Sequence, residues 1–257
     1  MKTILLGTVA ALAIAGTASA ADLRMPVKAP PPVVAPVFSW TGCYIGGFVG
    51  GAWSADDPTV YDRDGYNVGE TWSYKADSSF IGGGTLGCNW QPVGSPFVLG
   101  LEGEVGYLSL EGSGYSPFGL EVISSTKVGD WYGMITGRLG YSWDRAMIYV
   151  KGGAAFVDVE HSIVDAVLPA TVAASVSDTK VTWTVGGGIE WAFDMNWSIK
   201  AEYMYIGLNG SETSCGVATV TAPVGTFCWD HDYDGIHTAK IGLNYRFGGG
   251  APLVARY

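Results

Sequence analysis

KVTWTVGGGIEWAFDMNWSIKAEYMYIGLN, residues 180–209, decides the fold. Its first half puts Val181, Trp183, Val185, Gly187, Ile189, Trp191 and Phe193 on one parity and Thr182, Thr184, Gly186, Gly188, Glu190 and Ala192 on the other. After Asp194-Met195-Asn196 the alternation resumes, with Trp197, Ile199, Ala201, Tyr203 and Tyr205 set against Ser198, Lys200 and Glu202. Successive side chains of a strand point to opposite faces, so the stretch is a hairpin with one bulky apolar face and one face of charge and glycine. A water-soluble barrel would turn the apolar set inward. Here that set is aromatic, which suits a lipid-facing exterior around a narrow polar lumen.

Working outward, eight segments share this composition: 43–54, 79–91, 97–110, 129–143, 146–159, 180–193, 197–209 and 235–247. Their lengths suit tilted membrane strands with short extensions. The connections alternate strictly: 92–96, 144–145 and 194–196 are short, whereas 55–78, 111–128, 160–179 and 210–234 are long. Tight periplasmic turns and long external loops are the asymmetry of outer-membrane barrels, and a β-sandwich has no reason to show it. An even strand count puts both termini on the periplasmic side. Trp90, Trp143, Trp191 and Trp197 flank the short turns, where an interfacial girdle belongs. The expected fold is therefore all-β, an eight-stranded antiparallel up-and-down transmembrane β-barrel over residues 40–247. The first two segments are too rich in glycine for their faces to be assigned.

The flanks agree with export. Lys2, the apolar run from Ile4 to Ile14 and Ala18-Ser19-Ala20 form a signal peptide over residues 1–20, too short to be a membrane span. A proline-rich periplasmic arm, residues 21–39, favours an extended polyproline conformation and is free to contact peptidoglycan. Residues 248–257 form a C-terminal periplasmic extension. The chain is 48% hydrophobic and only 15% charged, yet no later stretch is apolar for the roughly 20 residues a membrane helix needs. A barrel reconciles the two, because it carries its membrane signal in alternation rather than in runs.

On these faces the lumen receives Glu102, Glu104, Arg138, Lys151, Glu190, Lys200, Glu202, Lys240 and Arg246. An isolated buried ion costs several kcal/mol, so such charges must be paired or hydrated. Eight strands enclose an interior that side chains alone can fill, which favours a lattice of ion pairs over an open channel. A small gated pore lined by the same charges is the alternative. The four cysteines of an exported chain imply disulfides. Pairing of the first hairpin brings Cys43 opposite Cys88, and Cys215 with Cys228 would staple the last long loop. Four free thiols is the rival reading, disfavoured in an oxidising compartment.

The net charge of −10 resides mainly in the external loops: Asp56, Asp57, Asp62, Asp64 and Glu70, then Asp158, Glu160, Asp165 and Asp178, then Glu212, Asp230, Asp232 and Asp234. Such loops are solvated and share divalent cations with lipopolysaccharide, while the sign of the charge disfavours nucleic acid. Residues 230–235 match the D-x-D-x-D-G half of a calcium loop, but Ile241 stands where the bidentate Glu belongs, so a turn leading into the last strand is expected and no metal site. Glu160-His161-Ser162 and His237-Thr238 are the only neighbours of nucleophile-and-base type. The first lies in an expected loop, and strand neighbours such as the second face opposite ways. Neither an enzyme nor a cofactor is expected.

Ala21-Asp22-Leu23, the proline-rich arm, Phe38-Ser39-Trp40-Thr41-Gly42-Cys43-Tyr44-Ile45-Gly46-Gly47 and the closing Lys240-Ile241-Gly242-Leu243-Asn244-Tyr245-Arg246-Phe247 together resemble alphaproteobacterial porin-family or outer-membrane immunogenic proteins. The closing strand, with Tyr245 and Phe247, also resembles the signal read by the barrel-assembly machinery, although here residues 248–257 follow it. The four cysteines are no hallmark of that family, and Cys43 replaces an expected aromatic. The resemblance implies a cell-outer-membrane surface protein that contacts outer-membrane lipids and lipopolysaccharide. Its expected role is envelope integrity with at most weak passive permeability; the alternatives are loop-mediated binding of haemin, host matrix or phage, or a small selective porin. No motif transfers a haem ligand.

Overall fold

The computed structural model describes residues 38–64, 68–115, 122–165, 173–218 and 225–247. The expected signal peptide, nearly all of the proline-rich arm and the expected C-terminal extension fall outside the described residues. Among the described residues ten strands form: β1 (Gly42–Ser54), β2 (Thr59–Asp62), β3 (Thr71–Ser73), β4 (Ser79–Trp90), β5 (Phe97–Tyr115), β6 (Val122–Trp143), β7 (Ala146–Asp165), β8 (Ala173–Ala192), β9 (Trp197–Ala218) and β10 (Gly225–Phe247). Eight of them, β1 and β4 through β10, make an antiparallel ring, because β1 pairs with both β4 and β10. Closure leaves no strand edge at membrane depth, where an unpaired backbone group has no water to bond. The Asp144-Arg145 turn puts Asp144 at φ 55°, a left-handed conformation that a short polar side chain tolerates.

The alternation acts as expected. Val181, Trp183, Val185, Ile189 and Trp191 of β8 are exposed on the outer face, whereas Thr184 and Glu190 are buried inside. On β4 and β5, ten positions separate the exposed aromatics Phe80 and Trp90, and again Phe97 and Tyr107. Ten residues of about 3.3 Å each, on strands tilted about 40°, rise about 25 Å, the height of an outer-membrane apolar band. Trp90, Trp143, Trp191 and Trp197 form the lower girdle, and Trp53, Trp131, Trp183 and Tyr203 the upper one, all exposed. The glycine-rich first hairpin also resolves. β1 turns Tyr44 and Phe48 inward, and Gly87 of β4 makes room, since a Cβ there would sit about 2.5 Å from the Tyr44 hydroxyl.

Two expectations about the loops are corrected. The segments expected as loops at 111–128, 160–179 and 210–234 are largely strand, so β5 to β10 run on above the membrane, and 55–78 contains β2 and β3. Stretches such as Ile123-Ser124-Ser125-Thr126-Lys127-Val128 suit a strand wetted by water but lack the aromatic and glycine signature of a lipid-facing one. His161 therefore lies in β7, not in a loop. Residues 230–235 lie within β10 rather than in a turn, with only a bulge between Tyr233 and Gly235. A second bulge, between Val128 and Tyr132 of β6, requires Gly129: its φ is 121°, and a Cβ there would collide with the Leu108 carbonyl.

Candidate functional site: a lumen filled in layers

The segment before β1 turns inward beneath the periplasmic mouth. Phe38 and Trp40 are buried there against Val98, Met147, Tyr149 and Ala192. Their rings meet edge to face at 5.2 Å, and the Trp40 backbone N–H donates to Gln91 Oε1 at 2.8 Å. Arg246 belongs to this layer rather than to the charge network in which it was expected. Its guanidinium lies 4.4 Å from the Phe38 ring centroid and donates to the Ser39 carbonyl at 2.8 Å and the Met195 carbonyl at 2.7 Å. At the last turn before the rim it meets ring faces and carbonyls, and no salt bridge joins it to a carboxylate among the described residues.

Above it lies the charged layer, where the other eight predicted residues converge from β5, β6, β7, β8, β9 and β10. Lys151 Nζ stands 2.6 Å from Glu102 Oε1 and 3.0 Å from Glu202 Oε2. Lys200 lies 3.2 Å from Glu102 and 3.8 Å from Glu202. Lys240 pairs with Glu104 and, at 3.1 Å, with Glu202, while Arg138 pairs with Glu190. Four cations thus face four carboxylates, all nearly fully buried. Polar groups that the sequence reading missed complete the lattice. Tyr44 donates to Glu102, Tyr132 to Glu104 at 2.7 Å and Tyr149 to Glu202 at 2.9 Å. Asn244 donates to Glu190 at 2.9 Å, and the Arg138 guanidinium lies 3.6 Å from the Tyr149 ring centroid. For Tyr132 and Tyr149 parity was the available signal, since they share the inward face with the charges, away from the aromatic girdles; Tyr44 lies in the glycine-rich first segment, where parity assigned no face.

The upper lumen was expected to be polar, and it is aliphatic. Phe48, Ile81, Leu108, Val128, Met134, Val157, Met204, Ile206 and Ile236 pack into one buried cluster. They occupy the same inward parity as the charges, so alternation alone could not separate the two layers. Higher still, β2 pairs with β10 and β3 with β2, and Ala76 bridges to Gly112 of β5. This flap buries Val60, Trp72 and Tyr74, and the Tyr74 hydroxyl meets Thr126. Asp62, expected on the solvated surface, is buried beneath it, because its parity on β2 turns it inward with Val60.

Two disulfides are present, Cys43–Cys88 and Cys215–Cys228. The first joins β1 to β4 on the outer face, in line with the exposed Ile45 and Leu86. The second joins β9 to β10 above the membrane.

The chemistry open to these groups is limited. Glu102, Glu104 and Glu202 bring ligand atoms within 4.8 Å of one another, but each carboxylate is already paired with at least one ammonium group of Lys151, Lys200 or Lys240. His237 faces outward and bonds the Tyr203 hydroxyl at 2.6 Å, while Thr238 points inward. Ser162 bonds Ser125 at 2.7 Å. A Ser–His contact does occur, Ser214 to His231 at 3.0 Å, and both residues are buried.

Residues 8–247 match the family model described as outer membrane protein beta-barrel domain. The chain is 35% identical over 255 residues to the 31 kDa outer-membrane immunogenic protein of Brucella melitensis, covering 96% of this chain and 100% of that one. It is 28% identical to the 22 kDa outer membrane protein of Rhizobium leguminosarum bv. viciae, over 83% of this chain and 81% of the other. Among solved structures, OprG of Pseudomonas aeruginosa superposes with a TM-score of 0.55 at 12% identity, over 82% of this chain and 98% of that one, a likeness of fold alone. The curated relatives are named for their place in the envelope and their immunogenicity, not for a reaction. The chain belongs to the outer-membrane β-barrel protein family and resides, surrounded by lipid, in the cell outer membrane.

Proposed function

We propose that the protein is a closed structural barrel that contributes to envelope integrity and allows at most weak passive permeability. One observation carries this reading: the lumen is filled in series by the Phe38–Trp40 layer, the eight-residue ion lattice and the aliphatic cluster. An ion crossing it would have to break paired charges and then pass dry side chains, each step costing several kcal/mol. The exposed acidic groups Asp56, Asp57, Asp232 and Asp234 support sharing of divalent cations with lipopolysaccharide. Tyr245 and Phe247, exposed on the closing strand, support recognition by the barrel-assembly machinery. The signal peptide over residues 1–20 directs export, and the arm contacts peptidoglycan on the periplasmic side. The test is single-channel recording of the refolded protein in planar bilayers, with heat-modifiable gel migration confirming the barrel. Silence is the expected result, and reproducible ion-selective steps would overturn the proposal.

A further inference from the structure

Above the membrane band the barrel wall splits. β7 and β8 stay paired up to Val164 and Ala173, and β9 and β10 up to Ala218 and Gly225, but β8 and β9 part company at Trp183 and Gly207. The indole of Trp183 lies across Gly207, where any Cβ would strike the ring. Beyond that point two edges are left, residues 173–182 of β8 and 208–218 of β9, and no strand pairs with either among the described residues. On the far side of β10 the flap strand β2 fills the corresponding place.

The direction of the β9 edge follows from its neighbours. The Cys228 carbonyl accepts from the N–H groups of Arg63 and Asp64, at 3.1 and 3.2 Å, and so points away from β9. Opposed residues in an antiparallel ladder alternate between bonded and non-bonded pairs, which makes Cys215 and Cys228 a non-bonded pair. The N–H and C=O of Cys215, and by the period of two those of Ser211, Thr213 and Val217, therefore face the open seam. The disulfide holds this edge in place, and an edge already ordered loses less entropy on binding. Its outer face is acidic. Asp230 lies opposite Thr213 and accepts from the Thr213 hydroxyl, and Asp232 and Asp234 follow, exposed, along β10.

We propose that residues 208–218 of β9 are a docking edge for an extended basic polypeptide segment of another molecule, which adds to the sheet as a strand. Backbone bonds at the edge would supply the attachment. Lys or Arg side chains of the added strand would lie about 10 Å, two strand spacings, from the row of aspartates, with only the short Thr213 between. This inference stands whether or not the lumen conducts.

The experiment is amide hydrogen exchange on the refolded full chain in lipid nanodiscs, with a ten-residue alternating Lys-Thr peptide as the probe. We expect exchange at Thr213 and Cys215 to slow about tenfold or more. An alternating Glu-Thr peptide, or the Lys-Thr peptide N-methylated at every second amide, should produce no slowing. Thr213→Pro removes an N–H that faces the seam rather than β10, so it should abolish protection while heat-modifiable migration persists. Asp230→Asn with Asp232→Asn leaves the backbone intact and should weaken the basic peptide several-fold. No slowing at all, or equal slowing by the N-methylated peptide, would overturn the proposal. So would protection that rises with protein concentration in the absence of peptide, because a second copy of the chain would then own the edge.

Discussion

Lys151→Met tests the charged layer most directly. The substitution keeps the length of the side chain and deletes the ammonium that lies 2.6 Å from Glu102 and 3.0 Å from Glu202. Four cations against four carboxylates become three against four. Glu102 keeps Lys200 and Tyr44, and Glu202 keeps Lys240 and Tyr149, so neither carboxylate is left wholly alone. Removing one partner of a buried pair costs about 3–5 kcal/mol, and the remaining partners put the expectation near the lower end, at about 3 kcal/mol. Urea unfolding in lipid vesicles, followed by tryptophan fluorescence and by heat-modifiable migration, reads that loss. Adding Glu202→Gln restores the charge balance, so the double variant should be more stable than the two single losses predict by about 1 kcal/mol or more, a coupling of ordinary size for contacting groups. A Lys151→Met barrel within about 0.5 kcal/mol of the parent, together with new ion-selective conductance, would refute the lattice and make the same residues the lining of a hydrated path.

Three further outcomes are expected. Trp40→Ala empties the periplasmic layer and should cost about 3–5 kcal/mol, the usual price of truncating a buried Trp, with Arg246→Gln costing less in the same unfolding assay because its partners are carbonyls and ring faces. Replacing both cysteines of a pair by Ser should destabilise by about 4 kcal/mol for Cys43–Cys88 and about 3 kcal/mol for Cys215–Cys228, the chain-entropy limits for separations of 45 and 13 residues; reversed order in urea midpoints would count against that account. At the extracellular rim, a hydrogen bond with Asp56 raises the pKa of Asp234 from its ordinary value. A carboxyl raised in the folded state stabilises most below its unfolded pKa and loses that contribution as pH rises through the folded one. Proteolysis of residues 55–78 should therefore speed up as pH climbs through that interval, and Asp234→Asn should flatten the dependence.

Outside the glycine-rich first hairpin, the side of the wall that a membrane-strand residue faces was legible from residue order, because parity is a local property of an extended chain. It assigned Glu102, Lys151, Glu190, Lys200 and Lys240 to the inside and the tryptophans of the short turns to the outside, and turn spacing set the strand count. Parity carries no information about height. It could not tell the aliphatic layer of Leu108, Met134 and Met204 from the charged layer beneath, nor place Arg246 beside Phe38 rather than beside Glu190. The upper strands escaped notice for a different reason: strands wetted by water need no lipid-facing side chains, so they lack the pattern that marks their lower halves.

The sequence by itself therefore determined an eight-stranded barrel and the inner and outer faces of six of its strands, and made Cys43–Cys88 and Cys215–Cys228 the expected pairs. Only the tertiary structure decided which charges meet, since Lys151 and Glu102 are 49 residues apart and Lys240 and Glu104 are 136 apart. Their meeting depends on the mutual stagger of strands distant in sequence, and that stagger is set when the sheet closes on itself, a condition no local stretch of chain contains.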